Sequence, residues 1–292
     1  MKNFNIRLCP LCGGHPGANV FPYNTYYNYQ NFKYYECNKC FSIYLDPIPD
    51  AETFSLMYAK DSYHDYHYGN DNDTEYVDSV NLLKKFLPEG SSVLDYGCGT
   101  GGFLKVLKDE GFDPFGVEYD SEAGKLASKI SNCKVVRLDE FNLNSKNMIF
   151  DAIHLGDVLE HLPNPMKVMS GLFNNLNENG IVFLEGPLEN NPSLIYYTTK
   201  IFGKIKFIFR PGYQGNYPPT HLIRVNEKQQ LRFIYKIFPK ITICKWEIYE
   251  TGWPYKNQGI IKNFIGRTSI ILSKNVKKNW GNRFKTIIKR VK

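Results

Sequence analysis

A glycine-rich turn, Val93-Leu94-Asp95-Tyr96-Gly97-Cys98-Gly99-Thr100-Gly101, decides the fold of this 292-residue chain. A short apolar run at 92–96 precedes the glycines, and a helical pattern at 102–110 follows them. Strand, turn and helix in this order are typical of the first unit of a parallel, doubly wound sheet. Glycines permit the tight turn there and let a ligand approach the backbone. The stretch therefore predicts a ligand site at the end of the first strand.

Downstream of the turn, apolar runs alternate with helical patterns, which predicts a mainly parallel α/β sheet. The predicted strands after Ser92–Tyr96 are Pro114–Val117, Cys133–Arg137, Ile149–Leu155, Ile181–Leu184, Ile241–Tyr249 and Thr268–Ser273. Helices are expected at Gly102–Glu110, Ser121–Ser131 and Pro165–Leu176. Together these elements predict a doubly wound, seven-stranded Rossmann-like sheet.

Two acidic residues indicate which ligand the turn binds. Asp95 precedes the glycines, where a carboxylate can hold an ammonium group and would repel a pyrophosphate. Glu118 ends the second strand, where it can bind both hydroxyls of a ribose. The glycine turn alone also fits dinucleotide enzymes. An amino-acid end and a ribose end together predict S-adenosylmethionine.

Residues 92–185 resemble a class I S-adenosylmethionine-dependent methyltransferase. The resemblance rests on Asp95-x-Gly97-x-Gly99-x-Gly101, on Val117-Glu118, and on Phe-Asp-Ala-Ile-His-Leu-Gly-Asp-Val-Leu-Glu-His-Leu at 150–162. The last run is similar to the Leu-Glu-His signature of the small-molecule branch, which includes ubiquinone-biosynthesis O-methyltransferases and many sugar methyltransferases. The resemblance implies a Rossmann-like methyltransferase sheet and methyl transfer to a small-molecule or glycan-type acceptor, in nucleotide-sugar or surface-polysaccharide biosynthesis.

The same resemblance implies a set of cofactor contacts. Glu118 is expected on the ribose, Tyr119 near the adenine and Asp139 at the adenine amino group. The complete predicted set is Asp95, Gly97, Gly99, Glu118, Tyr119, Asp139, Gly156 and Asp157.

Two histidines are the predicted catalytic bases, which the reaction needs only if the acceptor must lose a proton. His161 follows the fourth strand, and His221 follows Pro218-Pro219-Thr220 on the expected acceptor side. For each of them, the alternative is a histidine that only packs or caps a loop. Asp157 and Glu160 are further candidates. Glu160 with His161 can alternatively bind a divalent cation, as the resemblance to quinone O-methyltransferases implies.

Four cysteines form the pairs Cys9-x2-Cys12 and Cys37-x2-Cys40. Two such pairs bring four thiolates onto one tetrahedral ion, and thiolate ligands favour zinc. A disulfide framework is the alternative, but no apolar signal segment precedes Cys9 and no apolar run approaches the roughly 18 residues of a spanning helix. The sequence predicts a structural zinc site in a cytoplasmic protein. The pattern also resembles zinc-ribbon methyltransferases of glycan pathways.

The net charge of +7 is unevenly distributed. Residues 1–190 hold 15 Lys/Arg and 26 Asp/Glu, whereas residues 191–292 hold 21 Lys/Arg and only 3 Asp/Glu. This division predicts an anionic partner for the C-terminal third, either a phosphate-bearing acceptor or a membrane surface. A solvated basic face is the alternative. Leu194–Gly212 is predicted to form an aromatic, basic lid in which Arg210 can hold a phosphate.

The domain organisation follows from these patterns. The predicted units are a zinc ribbon at 1–50, a linker with cofactor-covering helices at 51–90, a methyltransferase domain at 91–275 with a lid insertion at 188–219, and a basic tail at 276–292. The competing function is a zinc-ribbon ribosomal RNA methyltransferase. Against nucleic acid as a partner, the ribbon is nearly neutral, with four basic and three acidic residues. A non-catalytic binding protein is the third class, and the intact glycine turn argues against it.

Overall fold

The computed structural model describes residues 6–59, 73–210, 214–238, 240–253, 259–275 and 279–291. Its strands are β1 (Pro16–Tyr27), β2 (Gln30–Cys37), β3 (Ile43–Asp46), β4 (Ser92–Tyr96), β5 (Asp113–Glu118), β6 (Lys134–Arg137), β7 (Phe150–Gly156), β8 (Leu176–Pro187), β9 (Gly215–Asn216), β10 (Ile223–Arg224), β11 (Ile241–Tyr249) and β12 (Arg283–Arg290). Its helices are α1 (Ala51–Tyr58), α2 (Asp73–Leu83), α3 (Gly102–Asp109), α4 (Ser121–Ser131), α5 (Leu138–Asn144), α6 (Pro165–Asn174), α7 (Leu194–Phe209), α8 (Glu227–Ile237) and α9 (Ile260–Asn275). His64 and His67, with Tyr63, Tyr66 and Tyr68, fall in the linker at 51–90, where the sequence predicts either a cover for the cofactor or a plain loop. They lie outside the described residues.

The larger sheet has seven strands in the order β11-β12-β8-β7-β4-β5-β6. The strands from β6 to β8 run parallel, and β12 is antiparallel to both of its neighbours. Leu94, Ile153 and Leu184, one from each of three adjacent strands, are fully buried or nearly so. The predicted α/β, doubly wound seven-stranded sheet is therefore confirmed. The direction in which successive strands are added to the sheet reverses between β4 and β7. Such a switch point opens a crevice at the carboxyl ends of the strands.

One predicted strand is wrong. Thr268–Ser273 belongs to helix α9, and the seventh strand is Arg283–Arg290, within the segment predicted as a basic tail. The buried hydroxyl of Ser269 donates to Glu250 Oε2 at 3.0 Å, and Gly266 lets Trp253 approach the helix closely. These contacts outweigh the strand preference of the β-branched residues in that run.

The ribbon is joined to the rest of the chain by a second sheet, in the order β10-β3-β2-β1-β9. β1, β2 and β3 form an antiparallel meander. β9 adds to one edge in parallel, and β10 adds to the other edge in antiparallel orientation. Residues that lie between β8 and β11 of the large sheet in sequence therefore complete the small one.

Helix α7 occupies most of the segment predicted as a lid, but it lies beside the ribbon sheet. Phe207 stacks on Tyr23 of β1, with ring centroids 4.1 Å apart. Gly203 allows Phe21 to approach so closely that a Cβ there would lie 2.3 Å from its ring. The helix also packs against α9. Arg210 is exposed at its C-terminal end, and the side chains that line the crevice come from other elements.

Candidate active site and cysteine cluster

A cleft of about 980 Å³ opens at the carboxyl ends of β4 and β7. It coincides with the switch point of the seven-stranded sheet, where ligands of such sheets bind. Eight of the residues predicted for the site line it: Asp95, Gly97, Gly99, Glu118, Tyr119, Gly156, Asp157 and His161.

The glycine turn forms the floor of the cleft, and its backbone requires glycine. Gly97, Gly99 and Gly101 have φ values of +86°, +53° and +89°, in the left-handed region that other residues rarely adopt. A Cβ on Gly101 would lie 2.7 Å from the backbone of Ala127. The amide of Gly97 donates to Val117 O at 2.8 Å, which ties the turn to the end of β5. The turn is therefore tight enough for a ligand to meet main-chain atoms.

Glu118 lies at the end of β5 and is held by backbone donors. It accepts hydrogen bonds from the amides of Gly99 (2.8 Å), Tyr119 (2.7 Å) and Asp120 (3.0 Å). Burial raises the pKa of this carboxyl to about 7, although these hydrogen bonds oppose the shift. The side chain is therefore fixed in the cleft and titrates near neutral pH.

Helix α1 lies beside the end of the cleft where Tyr119 is found. The hydroxyl groups of Tyr119 and Ser55 are 3.1 Å apart, and the Phe54 ring meets the Tyr119 ring edge-on at 5.5 Å. Ala51 and Phe54 also line the cleft. This end is consequently apolar and aromatic, as a planar base requires.

Asp139 lies outside the cleft, contrary to its predicted contact with the adenine. Its carboxylate accepts from Arg137 Nε at 3.1 Å, and its side chain is 68% exposed. Asp139 is the second residue of α5, and the pair with Arg137 holds its carboxylate on the outer surface. Leu138 and Phe141, from the same helix, line the cleft instead.

At the opposite end of the cleft, four charged side chains form a chain of contacts. His154 Nδ1 lies 2.7 Å from Asp95 Oδ1, and His154 Nε2 lies 3.2 Å from Glu185 Oε1. Lys285 Nζ is 3.2 Å from Glu185 Oε2 and also donates to Ser79 Oγ at 2.8 Å. All five residues line the cleft.

The two carboxylates determine the protonation of His154. Burial by itself lowers the pKa of His154, but the hydrogen bonds to Asp95 and Glu185 outweigh it and raise the pKa to about 9. Burial likewise opposes ionisation of Glu185, yet the His154 contact and nearby cations lower its pKa to about 2. The pair is therefore an imidazolium and a carboxylate at neutral pH. The sequence analysis missed His154, although a histidine within an otherwise apolar strand was a signal for it.

His161 lines the cleft and is oriented through one ring nitrogen. Its Nδ1 lies 2.7 Å from the carbonyl oxygen of Thr220 and 3.0 Å from the hydroxyl of Tyr58, which itself donates to the same carbonyl at 2.6 Å. A carbonyl accepts only, so Nδ1 carries the proton and Nε2 carries the lone pair. Nε2 lies 3.6 Å from Glu160 Oε1, so a proton taken up by the ring would lie beside that carboxyl group.

His221 lies behind His161, with ring centroids 4.9 Å apart. Its Nδ1 is 2.9 Å from Glu189 Oε2, and Glu189 also pairs with Arg224 at 3.3 Å. Burial lowers the pKa of His221, but the charge of Glu189 outweighs it and raises that pKa. The structure brings the two predicted bases together, with only His161 on the cleft wall.

Glu160, His161 and His221 form a second group with the donor types of a metal site. One carboxylate oxygen and one ring nitrogen of each histidine all lie within 4.8 Å of one another. Glu160 Oε1 is buried without a hydrogen-bond partner. Burial and the nearby charge of Asp157 raise the pKa of Glu160 to about 8. This donor set suits a divalent cation.

A sequence model described as a methyltransferase domain matches residues 68–232, which is more than half of the chain. The chain belongs to this family. The match includes the glycine turn, Glu118 and the Leu-Glu-His segment. Most residues that line the cleft therefore lie within the matched domain, while Ala51, Phe54 and Lys285 lie outside it.

Two curated relatives share the methyltransferase domain at moderate identity. A tRNA U34 carboxymethyltransferase of Campylobacter jejuni subsp. jejuni serotype O:23/36 (strain 81-176) is 31% identical over 149 residues, covering 47% of this chain and 51% of the relative. A carboxy-S-adenosyl-L-methionine synthase of Campylobacter jejuni subsp. doylei is 28% identical over 196 residues, covering 61% of this chain and 82% of the relative. The chain spans about half the length of the first of these relatives.

Solved structures share the fold of the methyltransferase domain. The plantazolicin methyltransferase BpumL, in complex with SAH and a triazolic desmethylPZN analog, aligns with a TM-score of 0.55 at 14% identity, covering 83% of this chain and 95% of that one. A SAM-dependent methyltransferase from Methanosarcina mazei aligns with a TM-score of 0.50 at 16% identity, covering 72% and 97%. At such identities the likeness shows the fold alone.

N-terminal to the methyltransferase domain, the four predicted metal ligands converge. The Sγ atoms of Cys9 and Cys40 are 3.6 Å apart, and those of Cys12 and Cys37 are 3.4 Å apart. All four thiols lie within 4.8 Å of one another, and none is in a disulfide. Four thiolates about 2.3 Å from one zinc ion lie about 3.8 Å apart, so the cluster fits a tetrahedral ion.

Backbone donors surround these sulfurs. The amide of Gly14 donates to Cys12 Sγ at 3.3 Å, and the amide of Lys39 donates to Cys37 Sγ at 3.4 Å. A Cβ on Gly14 would lie 2.8 Å from Cys37 Sγ, so the glycine allows the two knuckles to approach. Such N–H···S contacts stabilise thiolates and are typical of the surroundings of structural metal sites.

Proposed function

We propose that the chain is an S-adenosylmethionine-dependent methyltransferase that methylates a hydroxyl group of a small-molecule or glycan-type acceptor. The family membership supports methyl transfer. The cleft supports the cofactor, because its residues match the chemical groups of S-adenosylmethionine from one end to the other. Neither observation identifies the acceptor. The choice of a hydroxyl acceptor rests instead on the groups around His161.

The cleft offers a partner for each part of the cofactor. The carboxylate of Asp95 suits the ammonium group. Lys285, at the other end of the row of contacting charged side chains, carries the positive charge that the methionine carboxylate requires. Glu118 is placed to accept both ribose hydroxyls, and Tyr119 with Phe54 provides an aromatic surface for the adenine. When bound, S-adenosylmethionine supplies a methyl group that its sulfonium already activates, so the protein chiefly has to align a nucleophile.

The orientation of His161 is the observation that carries the choice of acceptor. Thr220 O fixes the proton on Nδ1, so the basic atom of the ring is Nε2, which lies 3.6 Å from Glu160 Oε1. A hydroxyl acceptor needs such a base, whereas an already nucleophilic atom does not. His221 and Glu189 form a charged pair behind the ring of His161. We therefore assign His161 as the base and His221 as a positioning residue.

A glycan-type acceptor, as a nucleotide sugar or a surface-polysaccharide precursor, is the proposed class. The resemblance of the Leu-Glu-His segment to sugar methyltransferases supports it, as does the resemblance of the cysteine pattern to zinc-ribbon enzymes of glycan pathways. The four converging thiols support a structural zinc ion in the ribbon, because all four coordination positions of the metal would then be occupied by protein.

A specific observation favours an RNA acceptor as the second candidate. The curated relative with 31% identity is a tRNA U34 carboxymethyltransferase, and the C-terminal third of this chain is strongly basic. The match covers 51% of that relative, so its whole activity does not extend to this chain from the comparison alone.

A methylation assay with separate acceptor pools tests the proposal. The purified chain is incubated with radiolabelled S-adenosylmethionine and with nucleotide sugars, lipid-linked glycans, ribosomal RNA or tRNA. We expect label in one of the glycan pools and a loss of about 100-fold or more in kcat for His161→Asn, the usual range for removing a general base. The matched control is His15→Asn, which replaces an exposed histidine distant from His161 in sequence. Label in RNA alone would replace the proposal with the second candidate.

A divalent cation at Glu160, His161 and His221 is the alternative role for the same histidines. Dialysis against a chelator that leaves the cysteine cluster loaded, followed by addition of Mg²⁺, Mn²⁺ or Zn²⁺, separates the two roles. Loss and recovery of activity with the cation, abolished by Glu160→Gln, would support the cation. Unchanged activity after chelation would support His161 as a base.

A further inference from the structure

Helices α7 and α9 pack against each other and expose a large apolar surface. On α7 the exposed apolar side chains are Ile201, Phe202, Ile205, Ile208 and Phe209, between 45% and 79% accessible. On α9 they are Ile260, Ile261, Phe264 and Ile271, between 59% and 88% accessible. We call these nine residues the α7–α9 surface. An isolated exposed apolar residue is ordinary, whereas apolar residues that cluster on two adjoining helices are typical of an interaction site.

The apolar residues of α7 lie on the face opposite the one that packs on the protein. Positions 201, 202, 205, 208 and 209 follow the i, i+1, i+4, i+7, i+8 spacing of a single helical stripe. Gly203 and Phe207, half a turn away, face Phe21 and Tyr23 of β1. The helix is therefore anchored through one side while its apolar stripe faces outward.

Basic residues border the apolar stripes, and no acidic residue occurs in either helix sequence. Lys200 and Lys204 fall on one flank of the α7 stripe and Lys206 on the other, as the 100° rotation per residue requires. The remaining cations of the two helices and their ends are Arg210, Arg267 and Lys274, whereas Lys262 Nζ lies over the Trp253 ring, 5.7 Å from its centroid. Long basic side chains beside an apolar stripe can reach the headgroups while the apolar residues enter the acyl region.

We propose that the α7–α9 surface docks the protein on a bilayer that contains anionic phospholipids. The apolar stripe would enter the interface, and the bordering lysines and arginines would contact the lipid phosphates. Each basic residue near an anionic surface adds to the electrostatic attraction. Among the described residues, no helix has both the length and the apolar character needed to cross a bilayer, so the contact is peripheral.

Charge argues against a second copy of this chain as the occupant. In a two-fold dimer the same patch meets itself, so the cations that border it would face one another without acidic partners. A bilayer with anionic headgroups instead supplies the complementary charge across the whole patch.

The position of the two helices links this surface to the cleft. α7 follows β8 beyond its carboxyl end, and α9 leads into β12, whose first residue Arg283 pairs with Pro187 at that same end. The cleft opens at the carboxyl ends of the parallel strands. A docked protein would therefore hold its active-site edge, rather than the opposite edge, toward the lipid.

Vesicle co-sedimentation of the full chain tests the docking and does not depend on methyl transfer. Vesicles of phosphatidylcholine alone are compared with vesicles of phosphatidylcholine and phosphatidylglycerol. We expect binding only to the anionic vesicles, weakened by added salt. The double variant Phe202→Gln/Ile205→Gln should bind at least about tenfold more weakly, because it removes two exposed apolar side chains from the inserted stripe. Ile130→Gln, an exposed apolar residue on α4, is the matched control and should bind like the wild type.

Three outcomes would overturn the proposal. The first is no binding to anionic vesicles, and the second is equal binding by the wild type and the double variant. The third is a change of oligomeric state, measured by sedimentation velocity, in which the wild type is a dimer and the double variant a monomer. That result would assign the surface to a second copy of the chain. Circular dichroism of the double variant shows that a loss of binding is not a loss of fold.

Discussion

His154 Nδ1 lies 2.7 Å from Asp95 Oδ1, and the two residues are direct neighbours on the adjacent parallel strands β7 and β4. The sheet register thus places a buried imidazolium next to the carboxylate predicted to bind the amino group of the cofactor. Glu185 contacts the other ring nitrogen, so His154 connects two acids that would otherwise be buried without a cation between them. The orientation of Asp95 follows from this contact.

The first prediction concerns the stability of this arrangement. Two carboxylates outweigh the effect of burial and raise the pKa of His154 from 6.5 to about 9, so the native state holds a proton that the unfolded chain releases earlier. The resulting stabilisation is complete below about pH 6.5 and is lost as the pH rises through about 9. We expect the free energy of unfolding by urea to fall between about pH 7 and about pH 10, by an amount on the order of 3 kcal/mol.

His154→Gln should remove that part of the pH dependence and lower the stability at pH 7, because glutamine keeps hydrogen bonding but carries no charge. His15→Gln, at an exposed histidine, is the control. If the wild type and His154→Gln show the same slope of stability against pH, the imidazolium is not the group that titrates.

The second prediction concerns cofactor affinity. Glu118→Ala should weaken the binding of S-adenosylmethionine at least about tenfold, because hydrogen bonds to a charged group contribute roughly 1.5–3 kcal/mol. Isothermal titration calorimetry measures the effect. Glu122→Ala, an exposed carboxylate four residues further along, should bind normally. Unchanged affinity in Glu118→Ala would contradict the assignment of Glu118 to the ribose hydroxyls.

The third prediction is that cofactor binding weakens in acid. Burial raises the pKa of Glu118 to about 7, and the ribose hydroxyls donate to the ionised carboxylate. The ionised fraction falls from about nine-tenths near pH 8 to about one-tenth near pH 6, so the apparent dissociation constant should rise roughly tenfold. Equilibrium dialysis over this range measures it. Glu118→Gln cannot titrate, and a steep pH dependence in that variant would point to another group.

The fourth prediction is that Cys9, Cys12, Cys37 and Cys40 hold one zinc ion per chain. Elemental analysis of Cys37→Ser should show the metal lost, and the melting temperature should fall because the two knuckles are no longer joined. Cys244→Ser, at an exposed thiol outside the cluster, should keep both. A Cys37→Ser protein with full metal content or an unchanged melting temperature would contradict a structural zinc site.

Local patterns were sufficient for much of the site. The positive φ angles at Gly97, Gly99 and Gly101 require glycine, so the turn was visible in the residues themselves. Glu118 was predictable because a residue at the end of the second strand of such a sheet must face the crevice. The convergence of the cysteine pairs was equally predictable. Each Cys-x2-Cys knuckle is a local structure, and four thiols in this spacing are typical metal ligands.

Other features depended on contacts between distant residues. Thr268–Ser273 has the composition of a strand, yet the packing of Gly266 and Ser269 makes it a helix, while the basic segment at 283–290 completes the sheet. Asp139 was expected at the adenine, but its pair with Arg137 holds it outside. The position of such a residue in the sequence shows which helix or strand it belongs to. It does not specify which partner its side chain contacts.

The amino-acid sequence by itself therefore determined the fold class, the glycine turn, the carboxylate of Glu118 at the end of the second strand and the cysteine cluster. Each of these is encoded within a short segment whose backbone or ligand chemistry permits few alternatives. Tertiary structure alone decided that His154 links Asp95 to Glu185, that Thr220 orients His161, and that the apolar stripe of α7 faces outward. These three features arise from contacts across 31 to 59 residues of sequence or from the choice of one helix face, and the free energy that selects them comes from burial and pairing in the folded protein.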